Sequence, residues 1–172
     1  MTRSRGLGDV YKRQALLLCI NQKSKVQIPL VFSECNFSYM NYYNHTQLLN
    51  FWENKFHFLK LNEHKGVFTL ILDRANKKNA LHPQMINEIA FCFSYISVND
   101  KIRVVIIRST GDTFSAGADL KALKNNIEPH HSTIPEPSKK VIIGNLFNSL
   151  YKPKLAVVEG NVYAGACLIV AG

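Results

Sequence analysis

The stretch that most constrains this chain runs from Val104 to Lys121. Its β-branched residues Val104-Val105-Ile106-Ile107 have the composition of a buried strand. They lead into Thr113-Phe114-Ser115-Ala116-Gly117-Ala118-Asp119-Leu120-Lys121, a turn of small residues that opens a short apolar-periodic segment at Leu120, Ala122 and Leu123. Strand, small-residue turn, helix start is an order that leaves backbone N–H groups exposed. Backed by a helix dipole, such groups bind an anion or a developing oxyanion. The pattern recurs, with the short strand Leu155-Ala156-Val157-Val158 followed by Gly160-Asn161-Val162-Tyr163-Ala164-Gly165-Ala166. The two turns are expected to face one another.

The rest of the chain supplies a frame for them. Phe56–Leu61 and Val67–Asp73 read as two strands joined by a turn over Asn62–Gly66, a hairpin signal with a glycine in its loop. Arg74–Leu81 is a polar, basic loop. Pro83 sits where a first helical residue is favoured, and Met85, Ile86, Ile89, Phe93 and Ile96 recur at helical spacing through Ser97. Arg103–Arg108 is the next strand, so strand–helix–strand predicts a parallel pair with a right-handed crossover. Asn125–Pro137 is a polar, proline-containing loop. Val141–Leu150 is a second amphipathic helix, and Cys167–Ala171 opens a buried one. The expected class is α/β, with order beginning near Phe56.

Composition excludes several functions. With 172 residues, 47% of them hydrophobic and 19% charged, the chain has enough apolar material for a substantial core. No run approaches the roughly 18 apolar residues of a membrane span. The run Ala15–Ile20 after Lys12-Arg13 is too short for a secretory signal and lacks a small-x-small cleavage site. Cys19, Cys35, Cys92 and Cys167 have no metal-ligand spacing and read as reduced thiols; His130-His131 read as solvated, so no metal is expected. Of the net charge of +9, residues 1–25 carry +5 and the remainder +4. Most of the asymmetry sits in a leader and the remainder is only mildly basic, which is weak support for nucleic-acid binding. Residues 1–14 show no periodicity and read as a non-native leader. Residues 15–54, rich in Asn and aromatics, have no clean period and no evident chemistry. Residues 55–172 carry the ordered pattern.

Three strings in order, LILDRANKKNAL, VVIIRSTGDTFSAGADLKAL and YKPKLAVVEGNVYAGACL, resemble the enoyl-CoA hydratase/isomerase (crotonase) superfamily. The resemblance covers about residues 56–172. It implies a crotonase-like spiral of ββα units, here the N-terminal half, truncated before the C-terminal helices. It also implies an acyl-CoA thioester whose enolate is stabilised by two backbone N–H groups, those of Ala118 and Gly165. CoA contacts map onto Lys77, Lys78, Ala80, Leu81, Ala116, Asp119, Leu120 and Lys121, with Asp119 read as a helix cap rather than a chemical group. CoA enters as part of the substrate, so no separate cofactor is implied. The implied assembly is a homotrimer or hexamer, without nucleic acid or membrane, in the cytoplasm or, in a eukaryote, the mitochondrion.

One departure bears on the reaction. Hydratases of that family commonly carry a glutamate three residues after the second oxyanion donor and another some twenty residues later, paired for general acid–base work. The first position here is Leu168, and Glu159 lies on the wrong side of the turn to replace it. The second lies beyond Gly172. An apolar residue at the first position is similar to enoyl-CoA isomerases, so isomerase is favoured slightly over hydratase. Decarboxylases share the feature. A non-catalytic acyl-CoA-binding or assembly subunit of the same fold is the alternative.

Overall fold

A computed structural model describes residues 42–171. The expectations for residues 1–41, including Cys19, Cys35 and the basic leader, lie outside the described residues. Order begins earlier than Phe56. Helix α1 (His45–Leu49) is opened by a capping box, in which Asn44 and Gln47 each accept a hydrogen bond from the other's backbone N–H. A 3₁₀ turn at Phe51–Glu53 follows. Phe51 is 1% exposed and stacks on Tyr95, with ring centroids 4.0 Å apart. Five-residue helices leave no window in which periodicity shows, so the stretch looked patternless; the Asn-x-x-Gln spacing is the signal that marks it.

Strands β1 (Leu59–His64) and β2 (Val67–Leu72) form the antiparallel hairpin, with Leu59 opposite Leu72 and His64 opposite Val67. The turn is shorter than the five residues expected. Lys65 and Gly66 both have positive φ, +48° and +82°, the signature of a two-residue type I′ turn. Asn62 and Glu63 therefore belong to β1, whose outer face tolerates polar residues.

Helix α2 (Pro83–Val98) carries the crossover. Pro83 stands at its start, and Met85, Ile89, Phe93 and Ile96 are fully buried. It delivers the chain to β3 (Val104–Ser109), which pairs parallel with β2, Val67 opposite Val104. Strand β5 (Lys154–Ala156) extends the sheet on the far side of β3, also parallel, giving the order β1-β2-β3-β5.

A second, two-stranded sheet was not legible in the sequence. Strands β4 (Thr113–Ser115) and β6 (Asn161–Val162) pair parallel, Thr113 opposite Asn161 and Ser115 opposite Val162. They are too short to display an alternation. Helices α3 (Leu120–Leu123), α4 (Ile143–Ser149) and α5 (Cys167–Ala171) complete the described chain. No helix among the described residues is long and apolar enough to cross a membrane.

Candidate functional site

The loop after β2 is shaped by Asn79. It sits in the left-handed region at φ +49° and is fully buried. Its amide oxygen accepts from Arg74 N–H (2.8 Å), and its amide nitrogen donates to Thr110 O (2.8 Å) and Thr113 O (2.9 Å). One side chain thus ties the loop to the approach to β4. Ser115 completes the join, its hydroxyl donating to Asn79 O (2.7 Å) and accepting from Gly117 N–H (3.2 Å).

Backbone pairing then carries the loop along the first small-residue turn. Ala116 N–H donates to Lys78 O, Leu81 N–H to Gly117 O, and Asp119 N–H to Leu81 O. Leu81 and Ala118 form a parallel bridge. In such a bridge the residue between the bonded pair turns its own N–H away from the partner strand. Ala118 N–H is therefore directed away from Leu81, and it has no acceptor among the described residues.

The second turn leaves β6 at the same end as the first leaves β4. Tyr163 N–H donates to Ser115 O (3.0 Å). Gly117, at φ +83°, lies so close that a Cβ there would sit 2.8 Å from Tyr163 O and 3.3 Å from Gly165 N. The turns are in contact. Gly165 falls in a 3₁₀ turn, Ala164–Ala166, and its N–H likewise has no acceptor among the described residues, as expected of a first-turn donor. The helix dipole expected behind the first turn is small. Helix α3 is a single turn with Leu120 and Leu123 exposed, so too few peptides align to sum to a useful field.

A cavity of about 700 Å³ opens beside this junction, lined by Lys77, Ala80, Ala116, Ala118, Asp119, Leu120 and Lys121 together with Arg74, Ala164 and residues 126–129. Leu81 instead lines an adjoining cavity of about 580 Å³, which shares Ala118 and Asp119. Lys78 contributes its carbonyl to the frame; its side chain is exposed and lines neither. Leu168 is 47% exposed on α5, beside Gly144 of α4. Glu159 pairs with Arg108 of β3 at 3.3 Å.

Arg74 was not singled out by sequence reasoning. Only 6% exposed, it donates to Ala80 O (3.0 Å) and Asp119 Oδ2 (2.7 Å), and its other terminal nitrogen meets Glu128. Burial alone would raise the Asp119 carboxyl; Arg74 and the N–H groups of Ala122 and Lys121 outweigh it and hold the group below the usual carboxylate range. Those N–H bonds cap α3, the role expected of Asp119. Arg74 likewise holds Glu128 low. Both acids of the cavity wall are thus ionised and committed, and neither is a proton donor at neutral pH. His82 caps α2 by accepting Gln84 N–H on Nδ1 (3.1 Å), which leaves the proton on a buried, unpartnered Nε2. Burial, then Arg74, lowers its pKa and keeps it neutral.

Glu88 of α2 is the opposite case. Fully buried, it accepts from His57 N–H (2.8 Å) and Phe58 N–H (3.0 Å), and desolvation raises its pKa. A raised carboxyl favours folding most below its ordinary 4.5 and loses that contribution as pH rises through the folded value. The depressed Asp119 and Glu128 favour folding above 3.8 and 4.5 and lose it as pH falls through their folded values. His57 and His82, whose pKa values are lowered, cost stability as pH falls below 6.5. The difference in urea midpoint between Glu88→Gln and the wild type separates the Glu88 contribution from theirs, and is expected to move in the variant's favour as pH rises above 4.5. A difference that does not change with pH would contradict the assignment of Glu88.

Residues 62–171 match the sequence profile described as enoyl-CoA hydratase/isomerase. The chain is similar to the 1,2-epoxyphenylacetyl-CoA isomerase of Escherichia coli (strain K12), 31% identical over 116 residues, covering 63% of this chain and 42% of that protein. It is similar to the mitochondrial methylglutaconyl-CoA hydratase of Mus musculus, 31% identical over 105 residues, covering 60% and 32%. Among solved structures, a probable enoyl-CoA hydratase/isomerase from Mycobacterium abscessus superposes with a TM-score of 0.54 at 23% identity, over 67% of this chain and 43% of that one. The chain spans less than half the length of the curated relatives it matches.

Proposed function

The chain belongs to the enoyl-CoA hydratase/isomerase family, and from that premise we propose that it forms the thioester-binding side of an acyl-CoA enzyme. The observation that carries this reading is the pair of unsatisfied donors, Ala118 N–H and Gly165 N–H, on two touching turns beside one cavity. A thioester carbonyl accepting both would have its charge stabilised as the α-proton leaves and the enolate forms. Lost donors of this kind typically cost about 3–4 kcal/mol of transition-state stabilisation. Lys77 and Lys121 offer point charges to CoA phosphates, while Ala80, Ala116 and Leu120 leave room for the pantetheine.

Isomerisation is favoured over hydration. Hydration needs one group to activate water and another to protonate the α-carbon, whereas moving a double bond returns one proton to a second carbon and needs a single base. Leu168 stands at the first glutamate position of hydratases, and Asp119 and Glu128 are both held by Arg74. The same facts support a second reading, a non-catalytic acyl-CoA-binding subunit. Acetoacetyl-CoA tests the thioester site directly, because its enolate absorbs in the near ultraviolet. The protein is expected to bind it more tightly than CoA thiol and to enhance the enolate band. Equal affinity with no enolate band would overturn the oxyanion reading.

A further inference from the structure

The outer wall of the cavity is a span of chain whose two ends are held very differently. Downstream it is sewn to the segment before β1. His131 N–H donates to His57 Nδ1 (3.3 Å), Thr133 N–H to Lys55 O (3.0 Å), Lys55 N–H to Thr133 Oγ1 (2.8 Å), and Ser132 Oγ to Lys55 O (3.3 Å). Glu88 holds His57 and Phe58 from beneath, and Ile134 is buried. Upstream the span leaves the one-turn helix α3 through Asn125, at φ +60°, and residues 124–131 are exposed throughout. Between these ends the Glu128 side chain reaches the body of the protein, through Arg74. Its neighbours Ile127 and Pro129 line the cavity with it.

Resting on the acyl-CoA reading, we propose that Arg74 and Glu128 are positioning residues that fix residues 126–129 as the wall against which the acyl chain packs. One guanidinium serves three segments: it holds Ala80 O in the loop after β2, Asp119 beneath the Ala118 turn, and Glu128 in the wall. The wall is thereby set at a fixed distance from the turn that presents Ala118 N–H, and acyl-chain length is read as contact with Ile127 and Pro129. A lysine at position 74 offers a point charge where three partners need a planar fork, so Arg74→Lys does not reproduce the arrangement.

Two measurements on the full chain test this, with Glu128→Gln and Arg74→Lys beside the wild type. The first is trypsin cleavage after Lys124, at the start of the span, followed by mass spectrometry. Both variants are expected to be cleaved at least fivefold faster at this bond, with Glu128→Gln lowering the urea midpoint less than Arg74→Lys, which also disturbs the bonds to Ala80 O and Asp119. The second is the ratio of Kd values for butyryl-CoA and decanoyl-CoA by calorimetry. A packed methylene contributes about fourfold in affinity, and the wild-type ratio is expected to fall at least tenfold in either variant. Faster cleavage with an unchanged chain-length ratio would make Glu128 a structural tether only and overturn the proposal. Unchanged cleavage would overturn it as well. A wild type that binds neither thioester would instead overturn the acyl-CoA reading, and cleavage alone would then decide whether Glu128 anchors the span.

Discussion

Gly160→Ala is expected to lose about 2–5 kcal/mol of stability, a large part of what a domain of this size possesses. Gly160 has φ +84°, where a side chain meets its own backbone and costs about 1–2 kcal/mol. A Cβ built there would lie 2.0 Å from Asp112 O and 2.7 Å from its carbonyl carbon. Both are backbone atoms, so no side chain can rotate aside, and overpacking of that kind adds about 1–3 kcal/mol. The strain falls at the entry to β6, where pairing with β4 rests on two residue pairs and the bond from Tyr163 N–H to Ser115 O. A backbone shift that relieves the clash, on either side, disturbs the pairing of β6 with β4. Urea unfolding followed by circular dichroism at high dilution measures the effect. A midpoint equal to that of the wild type would mean that β6 does not approach β4 as described.

Gly160 was visible in the sequence only as a turn residue. Its requirement comes from a backbone 48 positions earlier in the chain. The same limit explains what else went unread. Helix α2 and strands β2 and β3 are long enough for periodicity to appear, and Pro83 marks a start by its own chemistry, so these were legible. Strands β4 and β6 span three residues and two, and no alternation fits in that length. Arg74 reads as one more cation in a basic loop, because the partners that permit its burial, Asp119 and Glu128, lie 45 and 54 positions away. Asp119 was legible as a cap since the bonds that make it one come from Lys121 and Ala122, within its own turn. Local chemistry is legible from one chain; pairing at a distance is not. The two turns are the instructive mixture. Each was readable singly, but their contact depends on Gly117 lying against Tyr163 and Gly165.

Gly165 is a glycine that its backbone conformation and its packing do not require. No positive φ constrains it, and a Cβ there would meet no heavy atom within 4 Å. Gly165→Ala and Gly165→Val are therefore expected to fold with nearly wild-type urea midpoints. Gly117→Ala, at φ +83° and 2.8 Å from Tyr163 O, should lose stability and ligand binding together. If the open space beside Gly165 is where a thioester carbonyl docks, a side chain there keeps the acceptor off the N–H. Loss of one such donor corresponds to about 10²–10³ in kcat. The expected result in the full-length protein is a fall of that order for Gly165→Val in enoyl-CoA turnover, with the acetoacetyl-CoA enolate band abolished and the midpoint retained. A variant that melts early and turns over normally per folded molecule would make Gly165 a packing residue. A variant that keeps both stability and the enolate band would remove Gly165 from the site altogether and leave Ala118 N–H as the remaining donor of the two.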